Sequence, residues 1–135
     1  MKIDNDPHKY PFVLEPGFVR LLNQLLDDKT KDISEGITFN FRDPTYSPEN
    51  GGFHPVEIAI SAEGVLQYVT DFAYFSIPPM AELEKELDFD FSLGVFQQFG
   101  QDHDILDGQG LFRLYTQNFC AYYEMGVYEV TVTAL

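Results

Sequence analysis

Tryptophan is absent from this 135-residue chain and cysteine occurs once, at Cys120. A lone cysteine closes no disulfide within the chain and offers no thiolate framework for zinc, which points to a reducing compartment. Positive charge is also scarce. Eight Lys and Arg stand against 22 Asp and Glu, a formal charge of -14, and beyond residue 42 only Lys85 and Arg113 oppose fifteen acids. Such a surface repels phosphate backbones and anionic lipid, so direct nucleic-acid or membrane binding is disfavoured; basic proteins or metal cations are what it attracts. No run of about 18 apolar residues occurs, and the opening Met1-Lys2-Ile3-Asp4-Asn5-Asp6-Pro7 lacks the apolar core of a signal peptide. The expectation is a soluble cytoplasmic protein.

Catalytic and cofactor signatures are missing too. Gly108-Gln109-Gly110 has Arg113 where a dinucleotide fingerprint needs its third glycine, and there is no phosphate loop, Gly-x-Ser-x-Gly elbow or His-Glu-x-x-His. A calcium loop starting at Asp102 fails at Leu106, Asp107 and Arg113, its fifth, sixth and twelfth positions. No cofactor, bound metal or catalytic residue is assigned, and the reading is a binding module rather than an enzyme.

What is present is core material. Hydrophobic residues make up 44% and aromatics 16%, with 13 Phe and 8 Tyr, enough for one Phe-rich domain over 1–135. The chain is organised around Gly52 to Phe75. Val56, Ile58 and Ile60 alternate with Glu57 and Ala59 as in a half-buried strand; Ser61-Ala62-Glu63-Gly64 makes a turn with Gly in its left-handed position; Val65 to Phe75 returns as a long antiparallel strand.

Ahead of this hairpin, Pro7, Pro11 and Pro16 break residues 1–16 into an extended arm that packs through Phe12, Val13 and Leu14. Phe18, Leu21, Leu22, Leu25 and Leu26 then recur at helical spacing, with Lys29 and Lys31 near the helix end. Gly36 to Arg42 alternates as a strand, and a loop containing Pro44, Pro48, Gly51 and Gly52 follows. Beyond Pro78-Pro79, which end the third strand, Met80, Leu83 and Leu87 predict a short acidic helix and Leu87 to Phe91 a strand. Ser92 to Gly100 fits either period and is read as strand; Gln101 to Gly110 is read as a polar loop. Asp107 caps a second helix reaching Met125, with Leu111, Leu114, Tyr115, Asn118, Phe119 and Tyr122 on one face. Val127 to Thr133 closes the chain as a strand with Tyr128, Val130 and Val132 inward. The order predicts an α+β fold, a curved antiparallel sheet packed against a long N-terminal and a second C-terminal helix.

Asn40-Phe41-Arg42-Asp43-Pro44, Gly51 to Ile58, Thr70-Asp71-Phe72-Ala73-Tyr74, Glu86 to Phe91 and Met125-Gly126-Val127-Tyr128 resemble, in that order, an uncharacterised bacterial family classified only as a domain of unknown function. The resemblance runs from Phe39 to Val132. It implies a sheet curled about a helix, similar to the cystatin and nuclear-transport-factor-2 rolls, and implies no activity.

Two surfaces stand out as candidates. Glu82, Glu84, Glu86, Asp88, Asp90, Asp102, Asp104 and Asp107 face Lys85 alone, an acidic surface suited to a basic protein partner or merely to solubility. Asp88, Asp90 and Ser92 share a strand side that could gather a hard cation, although a solvated face explains the same alternation. The second candidate is a ligand pocket in the concave side, built from His54, Tyr68, Asp71 and Arg42. Asp71 is an acid inside a strand, where it needs donors, either from the loop or from Arg42. Arg42 is expected to pair with Asp71 or Glu57. His54 reads either as an acid/base group or as a histidine bonded to backbone, and Cys120 as a buried, inert thiol.

Overall fold

The computed structural model describes residues 1–30, 35–77 and 79–135. Alternation in the central stretch becomes a hairpin of β2 (Val56–Ile60) and β3 (Leu66–Phe75). Its turn closes with Gly64 N–H donating to the Ser61 carbonyl at 2.9 Å. Gly64 has φ +84°, and a Cβ there would lie 2.2 Å from the Lys2 carbonyl oxygen, so only glycine fits beneath the crossing arm.

The other strands are β1 (Ile37–Arg42), β4 (Glu82–Asp90), β5 (Val95–Gln98), β6 (Gln101–Asp104) and β7 (Glu129–Ala134). They form one curved, unclosed antiparallel sheet in the order β6-β5-β4-β3-β2-β1-β7, with β3 at its centre. Helices α1 (Pro16–Lys29) and α2 (Gln109–Glu124) contribute side chains to the core on its inner face. The expected α+β roll is the observed fold.

The core follows from period. Phe18, Val19, Leu21, Leu22, Leu25 and Leu26 form the buried stripe of α1, each burial contributing roughly 1.5–3 kcal/mol for the larger side chains. They join Ile37, Phe39, Phe41, Ile58, Ile60, Leu66, Val69 and Phe89 in one cluster. From α2, Phe112 sets its ring 4.9 Å from Phe89 and Phe119 sets its ring 4.8 Å from Phe41, both near perpendicular.

Several expectations are corrected. Residues 82–90 are strand, not the acidic helix drawn through Met80, Leu83 and Leu87, because ladder bonds to β3 and β5 outweigh local helical spacing. The loop read over Gln101 to Gly110 contains β6 and a 3-10 turn, Ile105–Gly108. Asp107 sits inside that turn, so it does not cap α2; Asp104 caps the turn by accepting from Leu106 N–H at 3.0 Å. On α2 the buried side is Phe112, Thr116 and Phe119, while Leu114 is 56% exposed. In the arm Phe12 and Leu14 are buried as expected, but Val13 is 76% exposed and its place is taken by Ile3 and Tyr10. The roles expected of Lys31 and Pro78 fall outside the described residues.

One irregularity positions the site. Asp71 lies opposite Leu87, yet Phe72 lies opposite Lys85, so Glu86 is an extra residue in β4. Such a bulge reverses the pleat's phase and re-aims a side chain. Glu86 consequently stands on the same side as Leu87, facing α2.

Candidate functional site

The 43–55 loop is held by one carboxylate. Asp43 accepts from Phe53 N–H at 3.0 Å, Thr45 N–H at 2.9 Å and the Thr45 hydroxyl at 2.7 Å. Those bonds hold its pKa below the usual aspartate value, the Phe53 amide contributing most. Gly52, at φ +135°, brings the backbone so close that a Cβ would meet Asp43 Oδ2 at 2.9 Å. Tyr46 sets its ring, tilted, 5.3 Å from His54 and 5.1 Å from Tyr74, and its hydroxyl accepts from Tyr74 N–H at 3.0 Å. Phe72 N–H donates to the Pro55 carbonyl at 2.9 Å, tying the loop's end to β3. His54 is thus fixed from both sides.

The imidazole faces two acids. His54 Nδ1 lies 3.2 Å from Asp71 Oδ1 and 2.8 Å from Glu86 Oε2. One N–H cannot point along both directions, and neither oxygen receives a well-aligned hydrogen bond although both atoms are buried. Asp71 as a whole is only 7% exposed. Its pKa is raised because burial outweighs the help from His54, while the His54 pKa is raised chiefly by the close Asp71 carboxylate.

Over these three groups opens a cleft of about 360 Å³ whose lining includes Phe53, Tyr115, Phe119, Tyr122 and Tyr128. The rings are mutually packed, Phe53 lying 4.7 Å from Tyr122 and Phe119 5.6 Å from Tyr128. Burial, with the negative charge of Asp71 adding to it, pushes the Tyr115 and Tyr128 phenols well up, so both stay protonated. The site is therefore an aromatic cleft with acceptors at its floor.

The four pocket candidates separate. His54 and Asp71 meet. Tyr68 is on the outer sheet face, donating to Glu57 Oε2 at 2.5 Å, and Arg42 is exposed beside a different groove with Asn40, Glu57, Phe72 and Leu83. Among the described residues Arg42 forms no ion pair, so its expected bridge to Asp71 or Glu57 is not made: the pleat puts Arg42 and Asp71 on opposite faces, and Glu57 takes Tyr68 instead. The carboxylate that ties the loop is Asp43, not Asp71, and His54 bonds carboxylates rather than backbone.

The acidic run is also divided. Cross-strand register places Glu82, Glu84 and Glu86 on the helix side, and Asp88, Asp90, Asp102 and Asp104 on the outer side. Asp88 accepts from the Thr70 hydroxyl at 2.8 Å and Asp90 from the Ser92 hydroxyl at 2.6 Å, so these acids are satisfied locally and do not converge on a cation. Cys120 is half-buried, and burial raises its thiol pKa. Sequence reasoning put Glu86 on the acidic partner surface and not in the pocket, and did not single out the cleft tyrosines Tyr115, Tyr122 and Tyr128. Acids at 82, 84, 86, 88 and 90 recur with strand period, but that period alone puts Glu86 on the side of Asp88 and Asp90, and the bulge turns it to the other.

A curved, unclosed antiparallel sheet with two helices on its inner face defines the class as an α+β roll. Residues 16–133 match the family described as protein of unknown function (DUF2787), and the chain belongs to it. Two solved Vibrio cholerae structures are similar. The hypothetical protein VC0508 of the VSP-II pathogenicity island is 38% identical, with TM-score 0.77 over 90% of this chain and 94% of that one. The conserved hypothetical protein VC1805 of pathogenicity island VPI-2, described as sharing structural homology with the human P32 protein, is 36% identical, with TM-score 0.76 over 89% and 94%. No curated protein matches the chain. None of these relatives carries an assigned activity, and the match takes in α1 as well as the Phe39 to Val132 stretch. Among the described residues no helix is long and apolar enough to cross a membrane.

Proposed function

We propose that this chain is a non-catalytic binding protein that takes a small ligand into the cleft between α2 and the sheet. The ligand has an apolar or aromatic body that lies against Phe53, Phe119, Tyr122 and Tyr128, and a head that is a cation or a hydrogen-bond donor. One observation carries this reading: two buried carboxylate oxygens, from Asp71 and Glu86, lie at the floor of an open cleft without an aligned donor. Leaving a buried acceptor unmet costs about 1–3 kcal/mol, a cost that folding alone does not reward and an incoming ligand removes. The volume falls at the small end of ligand pockets. A thermal-shift and ligand-detected NMR screen of aromatic amines and amidines against matched carboxylates and alcohols tests it. Cationic probes should raise the melting temperature of the chelator-treated wild type and not of Asp71→Asn; equal responses across charge classes, or none, would defeat the reading.

A second reading keeps the acidic surface as a docking site for a basic protein. Its support is register: Asp104 is aligned through Val95 with Asp90, and Asp102 pairs with Gln97, so Asp90, Asp102 and Asp104 share the outer side of β4, β5 and β6, while Asp88 on that side is buried. Salt-sensitive capture of a basic partner that is abolished by Asp102→Lys with Asp104→Lys is its test. A cytoplasmic setting suits both readings.

A further inference from the structure

We propose that His54, Asp71 and Glu86 hold a divalent transition-metal ion, zinc foremost, and that the metal is the cation the cleft is built around. The inference rests on reading the cleft as a binding site and names what sits at its floor.

Geometry comes first. His54, Asp71 and Glu86 each offer a ligand atom, and the three atoms lie within 4.8 Å of one another; His54 Nδ1 is 3.2 Å from Asp71 Oδ1 and 2.8 Å from Glu86 Oε2. A tetrahedral ion with bonds of about 2.0–2.2 Å places its donor atoms about 3.3–3.6 Å apart, so small side-chain adjustments seat it. The three groups come from the loop end, the middle of β3 and the β4 bulge, and the bulge alone brings Glu86 to the inner side.

The second observation is independent of spacing. Asp71 is more than nine-tenths buried and its Oδ1, like Glu86 Oε2, has no aligned donor. Carboxylates left so are expected to have a cation between them. A protonated His54 supplies one N–H for two acceptors, whereas a metal meets Nδ1 and both oxygens at once.

The donor set selects the ion. One imidazole nitrogen with two carboxylates suits Zn²⁺ or another borderline first-row ion, while Ca²⁺ wants six to eight oxygens and Mg²⁺ keeps an octahedral water shell. Two carboxylates and a neutral imidazole also balance a doubly charged ion. Three protein ligands leave a fourth position, and here it faces the aromatic cleft, which is the arrangement of sites that receive an outside ligand rather than of closed structural sites.

The test uses the full chain stripped of metal, titrated calorimetrically with Zn²⁺, Mn²⁺ and Mg²⁺ as their simple salts, and with Co²⁺ followed by its visible absorption. The expected result is one Zn²⁺ per chain, little heat with Mg²⁺, and intense Co²⁺ bands of low coordination number. Affinity should fall about tenfold or more in His54→Ala, Asp71→Asn and Glu86→Gln, each first shown to be folded by circular dichroism, and stay unchanged in His8→Ala and His103→Ala. No Zn²⁺ binding, or binding that survives all three ligand variants, overturns the proposal. If Zn²⁺ fails while aromatic amines still stabilise the wild type and not Asp71→Asn, the metal is excluded and the cleft remains a binding site. If both fail, the cleft reading falls as well.

Discussion

The inner face of the sheet has two ends that obey different rules. At one end Ile37, Ile58, Ile60, Leu66 and, from α1, Leu22 are completely inaccessible and join one apolar cluster. A few residues further along the same strands, beside α2, Val56 borders the cleft together with His54, Asp71 and Glu86, with buried oxygens unmet. The strands are continuous, so the contrast comes from side chains and from one inserted residue in β4. It teaches that stability and recognition are set apart along the strands, the first end supplying free energy that the second spends.

The comparison can be broken most severely at its closed end. Leu22→Ala should cost about 3–4 kcal/mol in urea-monitored unfolding, because the surrounding helix and strands cannot collapse onto the lost volume. Its effect on any cleft ligand should be slight at temperatures where the variant is folded. Loss of ligand or metal affinity alongside the stability would show that the two ends are coupled.

At the open end the sign should reverse. The fold raises the Asp71 pKa, so it disfavours the ionised form at neutral pH, and the neutral isostere relieves that penalty. Asp71→Asn is expected to gain about 1–2 kcal/mol while losing the site. A lower melting temperature at neutral pH would mean that the His54 contact is worth more than burial costs.

A smaller effect, confined to acid, belongs to Asp43. Its folded pKa is depressed, so its contribution is complete above the ordinary aspartate pKa of about 3.9 and is lost as pH falls through the lower folded value. Melting temperatures recorded from neutral to strongly acid pH should show a drop in that window that Asp43→Asn flattens; identical acid limbs would remove Asp43 from the loop's support. The smallest effect is expected at Arg42. Arg42→Ala and Arg20→Ala replace exposed side chains without an ion pair among the described residues, and both should stay within about 0.5 kcal/mol of wild type. A larger cost at Arg42 would reveal a partner for it.

Much of the fold was legible because period and turn chemistry agreed. Val56 to Phe75 combined strict alternation with a glycine at the one position the arm requires, and Phe18 to Leu26 kept a single helical stripe. Legibility failed where two periods overlapped. Met80, Leu83 and Leu87 satisfy a helix, while the acids from Glu82 to Asp90 satisfy a strand, and only the neighbouring ladders decide between them. The site was half legible. His54 and Asp71 betrayed themselves as a histidine beside proline and an acid inside a strand. Glu86 could not be placed, since its direction depends on a bulge, and a bulge is fixed by pairing with a partner strand rather than by local sequence. Arg42 was misread for a related reason: reach across a sheet was assumed where the pleat puts the two side chains on opposite faces.

An unclosed sheet leaves two rims, and this one ends in β6 and β7. A rim is a row of unused backbone donors and acceptors, a template on which further copies could stack. Here β6 is only four residues long, Gln101-Asp102-His103-Asp104, all exposed and half of them acidic, and Glu129 stands at the start of β7. The scarcity of Lys and Arg thus has a colloidal meaning: mutual repulsion guards the open borders of the fold at neutral pH. Near the isoelectric point of about 4.2 that guard is withdrawn, and self-stacking along β6 and β7 becomes the natural failure of the molecule.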